Sequence, residues 1–177
     1  VGDSALAANT SGSDNTVVGA AAMNANTTGA SNTAIGRDAL DSNTTADHNV
    51  AVGKESLHTN TTGASNTALG NFSLALNTTA SNNTAIGYSA LLANTTGAQN
   101  TAVGKEAGDS ITTGSNNVAL GYEALGKTTT GGDNTAVGRA ASLDNTTADG
   151  NVAIGNESLE NNTTGSNNVG VGKQAGR

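Results

Sequence analysis

The chain has 177 residues, 24 of them Gly, with no Pro, no Cys, no Trp and a net charge of −7. With one Phe, one Met and an apolar fraction that is mostly alanine, it lacks the large side chains on which a compact globule relies. It has no run of Lys or Arg to form a nucleic-acid footprint, no apolar stretch of membrane-spanning length, no signal-peptide pattern at its start and no cysteine for disulfide stapling.

Its organisation is a repeat. A glycine falls at Gly2, Gly19, Gly36, Gly53, Gly70, Gly87, Gly104, Gly121, Gly138, Gly155 and Gly172, always seventeen residues apart. Strict self-similarity at a short period is the signature of a solenoid built from stacked units. Gly, Asn, Ser and Thr also dominate disordered chains, but there the aliphatic residues have no reason to keep phase with the glycines. We therefore expect an all-β parallel β-solenoid with one 17-residue repeat per coil. Residues 1–177 read as a single repeat domain of about ten coils, cut at both ends from a longer fibre.

Each repeat opens on an asparagine: Asn15, Asn32, Asn49, Asn66, Asn83, Asn100, Asn117, Asn134, Asn151 and Asn168. Stacked coils would align these into a ladder whose amides hydrogen-bond along the axis. A short strand follows, such as Thr33-Ala34-Ile35. Period two sends Thr33 and Ile35 to one face and Ala34 to the other, a tight one. The fourth position is always aliphatic: Val18, Ile35, Val52, Leu69, Ile86, Val103, Leu120, Val137, Ile154 and Val171. These form the expected core face, packed against partner chains.

The invariant glycine comes next and is expected to need positive φ or to lie where another backbone passes close. Arg37-Asp38 and Lys54-Glu55 then make an exposed corner. Ala39-Leu40, with Ser56-Leu57, Ser73-Leu74, Ala90-Leu91 and Ala124-Leu125, reads as a second strand. Turn chemistry closes the coil in Asn26 to Gly29, Asn60 to Gly63 and Asn94 to Gly97. Alanine at Ala46, Ala80 and Ala148 replaces that last glycine, so left-handed geometry is not required there. At about 4.8 Å per coil, ten coils rise roughly 50 Å.

A coil this thin offers about three large apolar side chains, each contributing at most about 3 kcal/mol when buried, against roughly 1.5 kcal/mol per ordered residue. Packing the Val/Ile face against two other copies answers that deficit, and a homotrimer is the expected state, with a single-chain solenoid as the alternative. The repeat Asn-Thr-Ala-Val-Gly-x-x-Ala, as in Asn100 to Ala107, resembles the Asn-Ser-Val-Ala-Ile-Gly repeat in YadA-like heads of trimeric autotransporter adhesins. It is also similar to repeats of long bacterial surface proteins and trimeric phage tail fibres. The resemblance covers the whole chain and implies a left-handed homotrimeric roll on a cell surface or virion tail, binding matrix proteins, cells or other surfaces through a protein or glycan ligand. The present repeat is a few residues longer, and its strand reads Thr-Ala-Val where the heads read Val-Ala-Ile.

Site chemistry is sparse. His48 and His58 lack partners at ligand spacing, Ser and Asp are scattered turn residues, and no catalytic, metal or cofactor site is expected. Asp14, Asp47, Asp133 and Asp149 recur near one turn, without the glycine-rich nonapeptide of calcium-binding rolls. Asn26, Asn43, Asn60, Asn77, Asn94, Asn145 and Asn162 open glycosylation sequons, as does Asn9, although turn formation explains the same residues. Thr27-Thr28, Thr61-Thr62 and Thr95-Thr96 would stack into the threonine files that ice-binding solenoids display. Arg37, Lys54, Lys105, Arg139 and Lys173 all follow the invariant glycine and form a self-neutralising charged edge with Asp38, Glu55 and Glu106. The expected function is thus a non-enzymatic, structural and adhesive fibre segment, with a self-assembling filament and an ice-binding solenoid as alternatives.

Overall fold

A computed structural model describes residues 1–177. It contains β1 (Thr16–Val18), β2 (Thr33–Ile35), β3 (Val50–Val52), β4 (Thr67–Leu69), β5 (Thr84–Ile86), β6 (Thr101–Val103), β7 (Val118–Leu120), β8 (Thr135–Val137), β9 (Val152–Ile154) and β10 (Val169–Val171). They form one 10-stranded sheet in sequence order. Every pairing is parallel, and each residue faces its equivalent one repeat later, as in Thr33↔Val50, Ala34↔Ala51 and Ile35↔Val52. The protein is an all-β parallel β-solenoid with a coil of 17 residues.

The glycine that ends each strand forces the chain to turn. Gly36 has φ +138, a region closed to residues with a side chain, and a Cβ there would stand 2.4 Å from the carbonyl oxygen of Gly53. Both expected reasons for the glycine, unusual φ and close backbone approach, operate at the same atom.

The second side of the coil departs from the expectation of a strand at Ala39-Leu40. Asp38 and Leu40 have φ of 58° and 54°, so the segment cannot extend. It folds instead into two successive tight turns, with Ala39 N–H donating to Gly36 O and Asn43 N–H to Leu40 O. Neighbouring coils are still joined there: Leu40 N–H donates to Ser56 O at 2.9 Å, and Asp38 N–H to Ala20 O at 3.0 Å.

These turns aim leucine inward. Leu40, Leu57, Leu74, Leu91 and Leu125 are fully buried against Ala34, Ala51, Ala68, Ala85, Ala102 and Ala119 of the sheet, and Met23 takes the same place near the start. A left-handed leucine costs roughly 1–2 kcal/mol, and its burial returns about 1.5–3 kcal/mol. The interior is only wide enough for a leucine opposite an alanine.

Two inner coils depart from this. In one, Ser142 stands at the leucine position, buried and with its Oγ unpartnered. In the other, Gly108 stands where most coils have leucine, and Ile111 stands where most have the Asn of Asn-Thr-Thr. Ile111 is fully buried, and its Cδ1 lies 3.0 Å from where a Gly108 Cβ would be. Ile111 therefore fills the space that the missing leucine leaves.

The strand aliphatics are not part of this interior. Val18, Ile35, Ile86, Val103, Ile154 and Val171 are exposed, and Val52, Leu69, Leu120 and Val137 are half-buried. The residues assigned to a core face thus point away from the chain's own core, because the pleat that turns alanine in turns its neighbours out.

Candidate functional site: the ladders and outer files of the coil

Two asparagine ladders run inside the rod. In the first, each side-chain oxygen accepts the backbone N–H of its successor, as Asn49 N–H does to Asn32 Oδ1 at 2.9 Å. The same side chain donates across its own coil, as Asn49 Nδ2 does to Gly63 O at 3.0 Å. Asn32, Asn49, Asn66, Asn83, Asn100, Asn117, Asn134 and Asn151 are buried, while Asn15 and Asn168 lie in end coils and are more open. Burial without water strengthens these bonds and makes an unpaired partner costly.

The second ladder consists of the Asn-Thr-Thr asparagines. Asn43 Nδ2 donates to Asn26 Oδ1 at 2.8 Å and to Ala46 O at 3.1 Å. Asn26, Asn43, Asn60, Asn77, Asn94 and Asn145 are fully buried. As folded, these sequon amides point into the rod and are occupied by hydrogen bonds, so they present no nitrogen to a glycosylating enzyme. Asn162 and Asn9, near the ends, are half-buried.

The second ladder breaks at Ile111. Asn94 Oδ1 is buried without a donor, because the residue seventeen positions on is an isoleucine. In the following coil Thr128 occupies the slot, and its Oγ1 is likewise unpartnered. Replacing Thr128 by the isosteric valine is expected to stabilise the protein by about 1 kcal/mol, since only an unsatisfied buried hydroxyl is lost. Equilibrium urea denaturation measures this, and unchanged or lower stability would show that the hydroxyl has a partner in solution.

The threonine pairs divide their roles. The first member turns its hydroxyl to the next coil, as Thr27 Oγ1 does to Thr44 O at 3.0 Å and Thr78 Oγ1 to Thr95 O at 3.0 Å. The second member, at Thr28, Thr45, Thr62, Thr79 and Thr96, is exposed. The pair therefore presents one outward file at a corner, not the flat double file expected of an ice-binding array.

The aspartates fall into two registers. Asp47 Oδ1 accepts Ala30 N–H at 2.7 Å, and Asp149 Oδ1 accepts Gly132 N–H at 2.7 Å. Asp14 and Asp133 sit one position later at left-handed residues. His48 is exposed, and His58 Nδ1 lies 3.4 Å from Asp38 O. The protein has no cluster of three or more His, Cys, Asp or Glu suited to a metal and no pocket.

The corner after the invariant glycine carries the charges. Arg37 bridges to Asp38 at 3.0 Å and to Glu55 at 3.3 Å. Lys54 pairs with Glu55 and Lys105 with Glu106, both at 3.3 Å, and Arg139 pairs with Glu157. Glu157 is held below the ordinary carboxylate range, first by the hydrogen bond from Gln174 and then by Arg139 and Arg177. Its stabilising effect is present above the unfolded glutamate value and is lost as pH falls through the lowered folded one. Burial acts with the opposite sign at Asp41 and Asp109, whose carboxyl groups it pushes up.

The same corner holds every aromatic residue of the chain, Phe72, Tyr88 and Tyr122. Composition alone passes them over as too few for a core, and they stand out only once the repeats are laid in register. Phe72 and Tyr88 meet edge to face, with centroids 5.9 Å apart. Lys54 Nζ lies 5.1 Å from the Phe72 ring, and Lys105 Nζ lies 5.3 Å from the Tyr122 ring.

The outer sheet face is the most regular surface. Thr33, Thr67, Thr84, Thr101 and Thr135 form one file with Val50, Val118 and Val152, all half-buried, and Thr16 and Val169 continue it, exposed, in the end strands. The aliphatic file runs beside it, two residues along each strand. Comparison with protein-family models, curated proteins and solved structures finds no match to this chain.

Proposed function

We propose that this chain is a stiff structural and adhesive segment of an extracellular, left-handed homotrimeric fibre. It spaces an attachment site away from a cell or virion and offers repeated weak contacts along its sides. The observation that carries this reading is the outward aliphatic file from Val18 to Val171, unbroken through every coil and partly exposed in the single chain. An exposed apolar stripe running the full length of a rod is an interface waiting for a partner of the same length. A second and third copy supply that length and periodicity by construction, and three-fold closure leaves no open face. Repetition along the sides would then turn weak contacts into avidity.

Light scattering on the folded protein tests the reading. The expected mass is three times the 17.1 kDa chain mass. The double substitution Ile86→Asp with Val103→Asp, at outward positions that leave the alanine–leucine core intact, is expected to give a folded single chain. A monomeric wild type, or a variant that stays trimeric, would overturn the packing.

One observation favours a second reading. The file of Thr33, Thr67, Thr84, Thr101 and Thr135 beside the aliphatics, interrupted by Val50, Val118 and Val152, lines hydroxyls and methyls along the sheet, and a regular array of that kind is what an ice-binding solenoid presents. This array lies on the strands rather than on the Asn-Thr-Thr corner. The two readings compete for one face: a monomeric rod with thermal hysteresis would favour ice binding, and a trimer would cover the array.

A further inference from the structure

We propose that the corner edge running through Tyr88, Lys105 and Tyr122 binds an extended, neutral polysaccharide laid along the rod. The inference rests on the attachment reading for its biological sense but not on the trimer, because it uses the corner and not the sheet face.

The first support is placement. The chain has one Phe, two Tyr and no Trp, and all three aromatics occupy the two positions after the invariant glycine. Tyr88 is 48% exposed and Tyr122 39%. The fold does not require them there, since the tyrosine register holds Ala20, Asn71 and Asn156 in other coils. Large aromatic rings at exposed positions, in a chain that uses none inside, point outward to a ligand.

The second support is spacing. Tyr88 and Tyr122 are two coils apart, about 10 Å along a straight edge. In an extended chain of equatorially linked pyranoses, every second sugar presents the same ring face, and a disaccharide unit has that length. Pyranose axial C–H groups carry slight positive charge and stack on the electron-rich faces of aromatic rings. The edge thus offers two stacking platforms in register with alternate sugars.

The third support is preorganisation. Phe72 meets the Tyr88 ring edge to face at 84°. Tyr122 Oη donates to Glu123 Oε1 at 2.8 Å. Rings already held in place lose little freedom on binding. Lys105, over the Tyr122 ring, is an exposed side chain paired with Glu106, and such pairs cost little to rearrange.

Charge selects the polymer. The cations beside the rings are paired with carboxylates, Lys54 with Glu55 and Lys105 with Glu106, and the whole chain carries −7. That balance repels an anionic polymer, while the carboxylates and Asn71 can accept and donate hydrogen bonds to sugar hydroxyls.

The chain reports on this edge directly, because both tyrosines lie on it and there is no tryptophan. Tyrosine emission should be titrated with the hexamers of β-1,4-glucose, β-1,4-N-acetylglucosamine and β-1,4-mannose, with polygalacturonate as the anionic control. The expected result is a saturable change with at least one neutral hexamer. By calorimetry, Tyr88→Ala with Tyr122→Ala should weaken that binding by at least about tenfold, and Tyr88→Phe with Tyr122→Phe by no more than about threefold. All four substitutions lie outside the core, and circular dichroism checks that the coil persists. No saturable response to any neutral hexamer, a response to polygalacturonate only, or wild-type affinity in the double alanine variant would overturn the proposal. Mass by light scattering, read on the same samples, separates its failure from that of the trimer.

Discussion

Gly87→Ala is expected to destabilise the rod by more than about 5 kcal/mol and to unfold its central coils. Two costs fall on one atom. Gly87 has φ +134, and a Cβ there would lie 2.4 Å from the carbonyl oxygen of Gly104 and 2.7 Å from its carbonyl carbon. The conformation alone costs roughly 1–3 kcal/mol for any residue with a side chain. The clash adds to it because the obstacle is backbone, and the adjoining ladder holds that backbone from both sides: Gly87 N–H donates to Leu69 O, and Gly104 N–H to Ile86 O, each at 2.8 Å. Gly172→Ala separates the two contributions. Gly172 has φ +121 and nothing within 4 Å of its Cβ direction, so only the conformational cost applies. Urea denaturation of the two variants should show a loss at Gly172 of a few kcal/mol at most and a much larger one at Gly87. Equal losses would mean that close coil stacking is not what selects glycine.

Asn66→Ala is expected to cost about 2 kcal/mol. Asn66 is fully buried, and its side chain serves two neighbours. Its oxygen accepts Asn83 N–H at 3.0 Å, and its nitrogen donates to Ala80 O at 2.9 Å. Truncation leaves Asn83 N–H buried and unpaired, at roughly 1–3 kcal/mol, while Ala80 O keeps its bond from Asn77 Nδ2 at 3.0 Å. In a stacked array each coil contacts only its neighbours, so the lesion should appear as faster amide exchange on either side of Asn66 rather than uniformly. Asn168→Ala is the matching control: Asn168 is exposed, and its substitution should fall within about 0.5 kcal/mol of wild type. A loss below about 1 kcal/mol at Asn66 would show that water replaces the amide.

The repeat period already contained the architecture. Seventeen residues between glycines, without insertion, set one coil per repeat and therefore put Thr33 beside Val50 and Ile35 beside Val52. Alternation in Thr-Ala-Ile separated the inward alanine from its outward neighbours, because a pleated strand has only two faces. The glycine after each aliphatic was legible for the same reason: a position that never varies among otherwise variable copies marks a backbone that cannot carry a Cβ.

Tertiary structure decided the rest, chiefly through the sign of φ and the direction of side chains. Leu40 and its equivalents have a strand former's neighbours, yet sit in left-handed turns because burial against the sheet alanines outweighs local preference. The Asn-Thr-Thr asparagines read as turn formers that open sequons, yet the coil turns them inward, where stacking places amide against amide, as Asn43 Nδ2 against Asn26 Oδ1. The exchange of Leu for Gly108 and of Asn for Ile111 shows the same logic: that coil keeps its interior filled although neither position keeps its residue. The aromatic edge is invisible along the chain because Phe72, Tyr88 and Tyr122 are far apart in sequence, and only the winding of the coil brings them to one line. Sequence by itself thus determined the coil length, the register and the inward alanine, which follow from periodicity. The fold alone decided which of the remaining side chains face the interior, because that depends on where seventeen residues must bend to close a turn around a core one leucine wide.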